Sequence, residues 1–143
     1  MFKVIIWTTD GSSGAEQALP FLKSLAQAYS ARLIVVHVNE FPGPGGLGGV
    51  EDEVQAAIRR QVEDLKQEGL DAKLQLADVM AGGAAHVIAE IATDKGADLI
   101  VAGTRGLGTL SGLLLGSVTH RLVQIAPCPV LVVPPTSAGA STS

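Results

Sequence analysis

The stretch Asp98–Ser117, DLIVAGTRGLGTLSGLLLGS, decides how the chain folds. It opens with a continuous apolar run that lacks the polar alternation of a strand facing water, so it reads as a strand buried on both faces. From Gly103 onward it holds five glycines in fifteen residues and no acid. Glycine loses more backbone entropy on folding than any other residue, so such a cluster needs a physical reason. A buried strand passing through a glycine-rich turn into a helix is one unit of parallel α/β architecture.

The same grammar recurs along the chain. Apolar runs rich in β-branched residues occur at Lys3–Thr8, Arg32–Val38, Ala72–Ala77, Asp98–Gly103 and Pro129–Val133. The third alternates leucine with polar residues and predicts an edge or half-exposed strand; the others are continuous. Helical periodicity fills the intervals. Residues 13–29 place Leu19, Leu22, Leu25, Ala26 and Tyr29 on one face, with Ser13 and Glu16 in capping-box spacing and Pro20 expected to kink the helix. Residues 51–70 carry acids in the first turn, then Val54, Ile58, Val62 and Leu65, and stop at Gly69. Residues 83–96 align Ala84, Ile88, Ile91 and Ala92, and residues 117–126 form a last helix closed by Pro127.

Strand and helix in strict alternation imply right-handed βαβ units. The expected fold is therefore α/β: a doubly wound, five-stranded parallel sheet with helices on both faces. The expected domain spans 1–135, followed by a disordered, low-complexity tail over 136–143, and the loop 41–49 reads as a linker or a mobile lid. A chain of 143 residues, 47% hydrophobic and 17% charged, is long and apolar enough for a real core.

Composition also narrows the partners. A net charge of −4, without a basic run or basic–aromatic interleaving, argues against nucleic acid. No apolar run reaches the length of a membrane span, and the N-terminal run is too short for a secretory signal, so the chain reads as cytoplasmic. Its one cysteine, Cys128, reads as a small buried hydrophobe. His37 reads as a satisfied core residue, His86 as a helix residue away from the glycines and His120 as a surface residue, with reach to a phosphate as its alternative; no cluster has metal-ligand spacing.

Sheets of this kind bind ligands beyond the carboxyl ends of the strands, where the strand order reverses. The TTDG after the first strand and the GTRG after the fourth would both lie there. In Gly103-x2-Gly106-x9-Gly116-Ser117, glycines lead into a helix start, whose bare amides and partial positive charge suit an anion such as phosphate. No acid follows Asp98 to repel one, and Ser117 and Thr119 bring hydroxyls. The alternative is that the glycines serve tight turns and close helix packing. A Walker A loop is excluded because no lysine follows Lys95, and the looser Gly106-x-Gly108-x3-Gly112 spacing lacks the acid a dinucleotide site needs.

TTDGS after the first strand, VVHV in the second, GADLIVAGTRG, and LLLGSVTHRLVQIAPCPVLVV at the end together resemble the universal stress protein family over nearly the whole chain. The glycine pattern resembles the ATP-binding motif of that family's nucleotide-binding branch. The resemblance implies a Rossmann-like fold of the adenine nucleotide alpha hydrolase type and a bound ATP with Mg²⁺; cyclic AMP is also compatible. It places Thr8, Thr9 and Asp10 at the nucleoside end of the cleft and Val38 against adenine. Gly103 and Gly106 would admit ribose and phosphates, and Gly116, Ser117, Val118 and Thr119 would hold the phosphate chain. Thr8 departs from the family's usual proline or small residue. Arg105 is either a phosphate clamp or a solvated side chain, and Asp10 either a ligand contact or, with Ser12, a cap for the first helix.

So few groups are suited to hydrolysis that the expected role is a nucleotide-binding stress or signalling protein with slow turnover at most. A nucleotide hydrolase proper and a nucleotide-independent interaction module stay open. The last strand, short and apolar, should lie at a sheet edge, and the resemblance implies a homodimer through it.

Overall fold

The computed structural model describes residues 1–41, 48–103 and 116–134, the side chains at 13 and 48–50 excepted. The central loop over 42–47, the glycine-rich stretch over 104–115 and the C-terminal tail lie outside those residues. Strands β1 (Val4–Thr8), β2 (Arg32–Phe41), β3 (Asp71–Met80), β4 (Leu99–Gly103) and β5 (Val130–Val133) form one sheet in the order β3-β2-β1-β4-β5. Every neighbouring pair is parallel. The helices are α1 (Ser13–Glu16), α2 (Leu19–Tyr29), α3 (Gly48–Gln67), α4 (Ala84–Lys95) and α5 (Ser117–Ile125).

Side chains alternate across a strand, so each apolar strand feeds two cores. Ile5, Trp7, Leu33, Val35, Leu99 and Val101 pack with α1, α2 and α3. Ile6, Ile34, Val36 and Ile100 pack with α4 and α5 on the other face. The chain winds outward from β1 through β2 to β3, then returns to β4 and β5. A fixed crossover hand puts the helices of the two halves on opposite faces. Ile5, Ile6 and Ile100 are fully buried, each side chain stabilising the fold by about 1.5–3 kcal/mol. The expected doubly wound architecture is observed. Among the described residues, no helix is long and apolar enough to cross a membrane.

Three local expectations need correction. The segment 13–29 is two helices, not one kinked helix: Gln17 and Ala18 turn between α1 and α2, and Pro20 falls in the first turn of α2. An amide there has no intrahelical acceptor, so proline sacrifices nothing. Tyr29 leaves the apolar face and sits exposed, edge-on to Phe2 with ring centroids 5.1 Å apart. Helix α3 begins at Gly48, so residues 48 and 49 of the expected loop are helical.

Strands β2 and β3 each run three residues beyond their expected ends, pairing from Arg32↔Asp71 to Phe41↔Met80. Polar residues interrupt the apolar runs where the extension begins, Asn39 Nδ2 donating to Asp78 Oδ1 at 3.3 Å, which is why the runs did not mark it. Strand β3 is half-exposed at one rim and β5 forms the other, as their patterns predicted.

Candidate functional site

The order of strands reverses between β1 and β4, which pair directly through Ile5↔Leu99 to Trp7↔Val101. Beyond β1 the chain turns to α1 on one face. Helix α5, which follows β4 in the chain, packs on the other. A crevice at the carboxyl ends of the strands follows from that divergence. The structure brings to its rim Thr8, Thr9 and Asp10 from β1 and its exit, Gly103 from the end of β4, and Gly116, Ser117, Val118 and Thr119 from the start of α5. Arg105 and Gly106 lie outside the described residues.

The exit of β1 is a tightly bonded turn. The Thr9 amide donates to the Val36 carbonyl at 3.0 Å, extending the ladder by one residue. Thr9 Oγ1 accepts the Gly11 amide at 3.0 Å, and Asp10 Oδ1 accepts the Ser12 amide at 2.9 Å. Gly11 takes φ +83°, a conformation that a side chain would strain. Ser12 Oγ then accepts the Ala15 amide at 3.2 Å, so Ser12 caps α1. Of the two roles open to Asp10, the turn-forming one is visible in that bond. Thr9 is only 3% exposed, its hydroxyl turned into the fold, while Thr8 and Asp10 are half-exposed at the rim.

Helix α5 starts differently. Its N-cap residue, Gly116, is extended (φ −63°, ψ 158°) and offers no side chain to the helix. The first intrahelical bond runs from the His120 amide to the Gly116 carbonyl at 2.9 Å. The amides of Ser117, Val118 and Thr119 therefore have no acceptor within the helix and carry its partial positive charge. Thr119 Oγ1 donates to the Gly103 carbonyl at 2.9 Å and is buried, binding α5 to the end of β4. Its hydroxyl is thus committed, and its amide is what it can offer. Ser117 is exposed.

Gly103 has a packing role. A Cβ built there would stand 2.8 Å from the Gly14 carbonyl oxygen, so its absence lets α1 approach the end of β4. The packing alternative for the glycines applies at this position. Val38 and Val118 pack, half-buried, into the same apolar cluster beneath α4 and α5. The sheet thus carries Val38 to the face on which α5 begins.

Two features escaped sequence reading. Glu40 Oε2 accepts the amides of Gly82 at 2.9 Å and Ala84 at 3.2 Å, so a strand carboxylate closes the start of α4. His37, expected as a satisfied core residue, is indeed 4% exposed with both ring nitrogens bonded. One of its partners, Glu51, lies in the first turn of α3 and had no detectable link to it in sequence. Both are tertiary contacts across long separations, without a spacing signature.

Away from the crevice, Asp98 sits where β4 begins. Burial raises its pKa, but the Lys3 and Val4 amides at 3.0 Å outweigh that and hold the carboxyl below its ordinary value. Cys128 is half-buried against the α4/α5 core, and burial, then the Asp98 charge, push its thiol up. A raised thiol is a poor nucleophile, consistent with a packing role. His86 and His120 are exposed on α4 and α5.

The universal stress protein family model matches residues 1–134. A relative from Thermus aquaticus, described as "Universal stress protein in QAH/OAS sulfhydrylase 3'region", is 41% identical over 139 residues, covering 93% of this chain and 99% of its own. The solved structure of MJ0577, a protein of Methanocaldococcus jannaschii, has a TM-score of 0.73 at 28% identity, covering 96% of this chain and 99% of that one. A universal stress protein crystallised in complex with cAMP has a TM-score of 0.70 at 26% identity, with 94% and 99% covered. Sequence and architecture agree over nearly the whole chain: this chain belongs to the universal stress protein family.

Proposed function

We propose that the chain binds an adenine nucleotide, ATP with Mg²⁺, in the crevice between β1 and β4, and acts as a nucleotide-dependent stress or signalling protein. The observation that carries this reading is the start of α5, where three amides without helical acceptors meet no capping side chain from Gly116. The sequence holds no Asp or Glu after Asp98, so the segment around that helix start is free of acid. A cAMP complex in a relative of 26% identity supports the adenine class and keeps cyclic AMP as a second reading.

Thr8, Asp10 and Val38 would meet the nucleoside. Gly106, Gly116, Ser117, Val118 and Thr119 would surround the phosphates, with Arg105 as a clamp. Gly103 would shape the floor, and Thr9 would act by holding the turn. Mg²⁺ keeps most of its ligands from water and phosphate, so a single carboxylate such as Asp10 suffices on the protein side. The Asp10–Ser12 turn and the hydroxyl commitment of Thr119 leave few groups to activate water, which favours retention of nucleotide over rapid hydrolysis. Equilibrium dialysis of the purified protein against ATP and Mg²⁺, with cAMP as competitor, tests the reading. Saturable binding is expected, and a clean null at saturating ligand refutes it.

A homodimer through β5 belongs to the same proposal. Strand β5 is a rim strand whose Val130, Leu131 and Val132 are half-buried in the single chain. Val132→Lys is expected to give monomers by light scattering, and an unaltered dimer rejects edge pairing.

A further inference from the structure

His37 joins three segments of chain. It lies in β2, its Nδ1 is 2.9 Å from the Thr9 carbonyl oxygen, and its Nε2 is 2.9 Å from Glu51 Oε2. A carbonyl can only accept, so Nδ1 carries a proton and donates it to Thr9. Nε2 and the Glu51 oxygen then need one proton between them, whichever atom holds it, because two lone pairs at 2.9 Å repel. Glu51 is itself held by Gln55 Nε2 at 2.7 Å, within α3. The ring is buried, so water cannot replace either partner cheaply.

We infer that His37 and Glu51 are positioning residues for the nucleotide crevice: Glu51 anchors Nε2 and so holds the ring with its Nδ1–H on the Thr9 carbonyl, which sets the Thr9–Asp10 turn. This rests on the nucleotide reading given above and deepens it. The Thr9 peptide is gripped by β2 twice, through its amide to Val36 and its carbonyl to His37. The next residue, Asp10, stands at the rim. Without Glu51, the Thr9 carbonyl still selects Nδ1–H, but Nε2 is left in the fold without a partner. The ring then loses one of its two anchors and holds the Thr9 carbonyl less firmly. The pair also ties the first turn of α3 to the crevice, so the start of that helix and the β1 exit move together.

The experiment reads tautomer and affinity in the same samples: ¹⁵N chemical shifts of the His37 ring, and ATP·Mg²⁺ dissociation constants by dialysis. Wild type and Glu51→Gln, whose amide can donate to Nε2, are expected to show Nδ1–H with Nε2 bonded and to bind within about threefold of each other, whereas Glu51→Ala keeps Nδ1–H but shows the ¹⁵N shift of an unbonded Nε2 and binds about tenfold more weakly, the scale of a lost charge-assisted bond. His37→Asn keeps a donor near the Nδ1 position, so its affinity should not change when Glu51→Ala is added; this pair serves if Glu51→Ala alone fails to fold. An unprotonated Nδ1 in the wild type, or Glu51→Ala binding as tightly as wild type, overturns the positioning role and leaves the nucleotide reading standing. Failure of the wild type to bind ATP removes the nucleotide reading, and this role with it.

Discussion

Helices α4 and α5 begin at the same end of the sheet, pack on the same face, and each has glycine, Gly83 or Gly116, at its N-cap. Neither glycine can supply a side-chain oxygen to the exposed amides. At α4 the deficit is met from a distance, because Glu40 reaches across from β2 to the Gly82 and Ala84 amides. At α5 no side chain among the described residues is seen to do the equivalent, and the sequence beyond Asp98 contains no carboxylate. A positive helix end is stabilised by a nearby anion. The contrast shows that this fold can satisfy such an end internally and does so at one helix. At the other, no described carboxylate is bonded to the helix start, and it is there that the nucleotide reading places the phosphates.

Placing an internal anion at α5 should break the contrast most severely. Gly116→Asp turns α5 into a self-capped helix, and like-charge contact with phosphate should lower ATP affinity by at least about a hundredfold while leaving circular dichroism unchanged. Retained affinity would show that nucleotide does not use this helix end. The converse change is smaller. Glu40→Ala strips the α4 amides of their carboxylate and should cost about 1–2 kcal/mol in urea denaturation, with ATP affinity unaltered. The smallest effect belongs to Asp98, which receives amides at the opposite end of β4. Its pKa is held below the ordinary carboxyl value, so its contribution is complete above that value and disappears as pH falls through the folded one. Urea midpoints taken from neutral pH downward should therefore drop less steeply in Asp98→Asn than in the parent, and parallel curves would discount the bond.

Much of this was legible in the sequence, for identifiable reasons. Strands such as Leu99–Gly103, buried on both faces, must be continuously apolar, so their pattern survives without knowledge of neighbours. The reversal point followed from alternation and a fixed crossover hand, which set the ends of the first and fourth strands side by side, as the direct pairing of β1 with β4 does. Pro20 misled because proline has two meanings in a helical pattern: a kink within a helix, or an untroubled place in the first turn of a new one. The polar end of β2 was invisible since Asn39 and Glu40 carry no strand signal. Their reason for being extended lies in Asp78 and in the Gly82 and Ala84 amides. Glu40 and the His37–Glu51 pair were beyond reach for the same cause: their partners are distant in sequence. Gly103 was noticed, but its nearest neighbour, the Gly14 carbonyl on α1, was not.

The two rims of the sheet differ in a way that governs how far assembly can proceed. The outer rim of β3 bears exposed Asp71, Lys73 and Asp78, whereas β5 presents valine and leucine. Charges on a free border discourage the addition of another strand. A pair of chains fused along β5 would finish on both sides in β3, whose exposed Asp71, Lys73 and Asp78 oppose the addition of a third. Growth would end at two, and a sheet-forming protein made in quantity would be spared open-ended polymerisation.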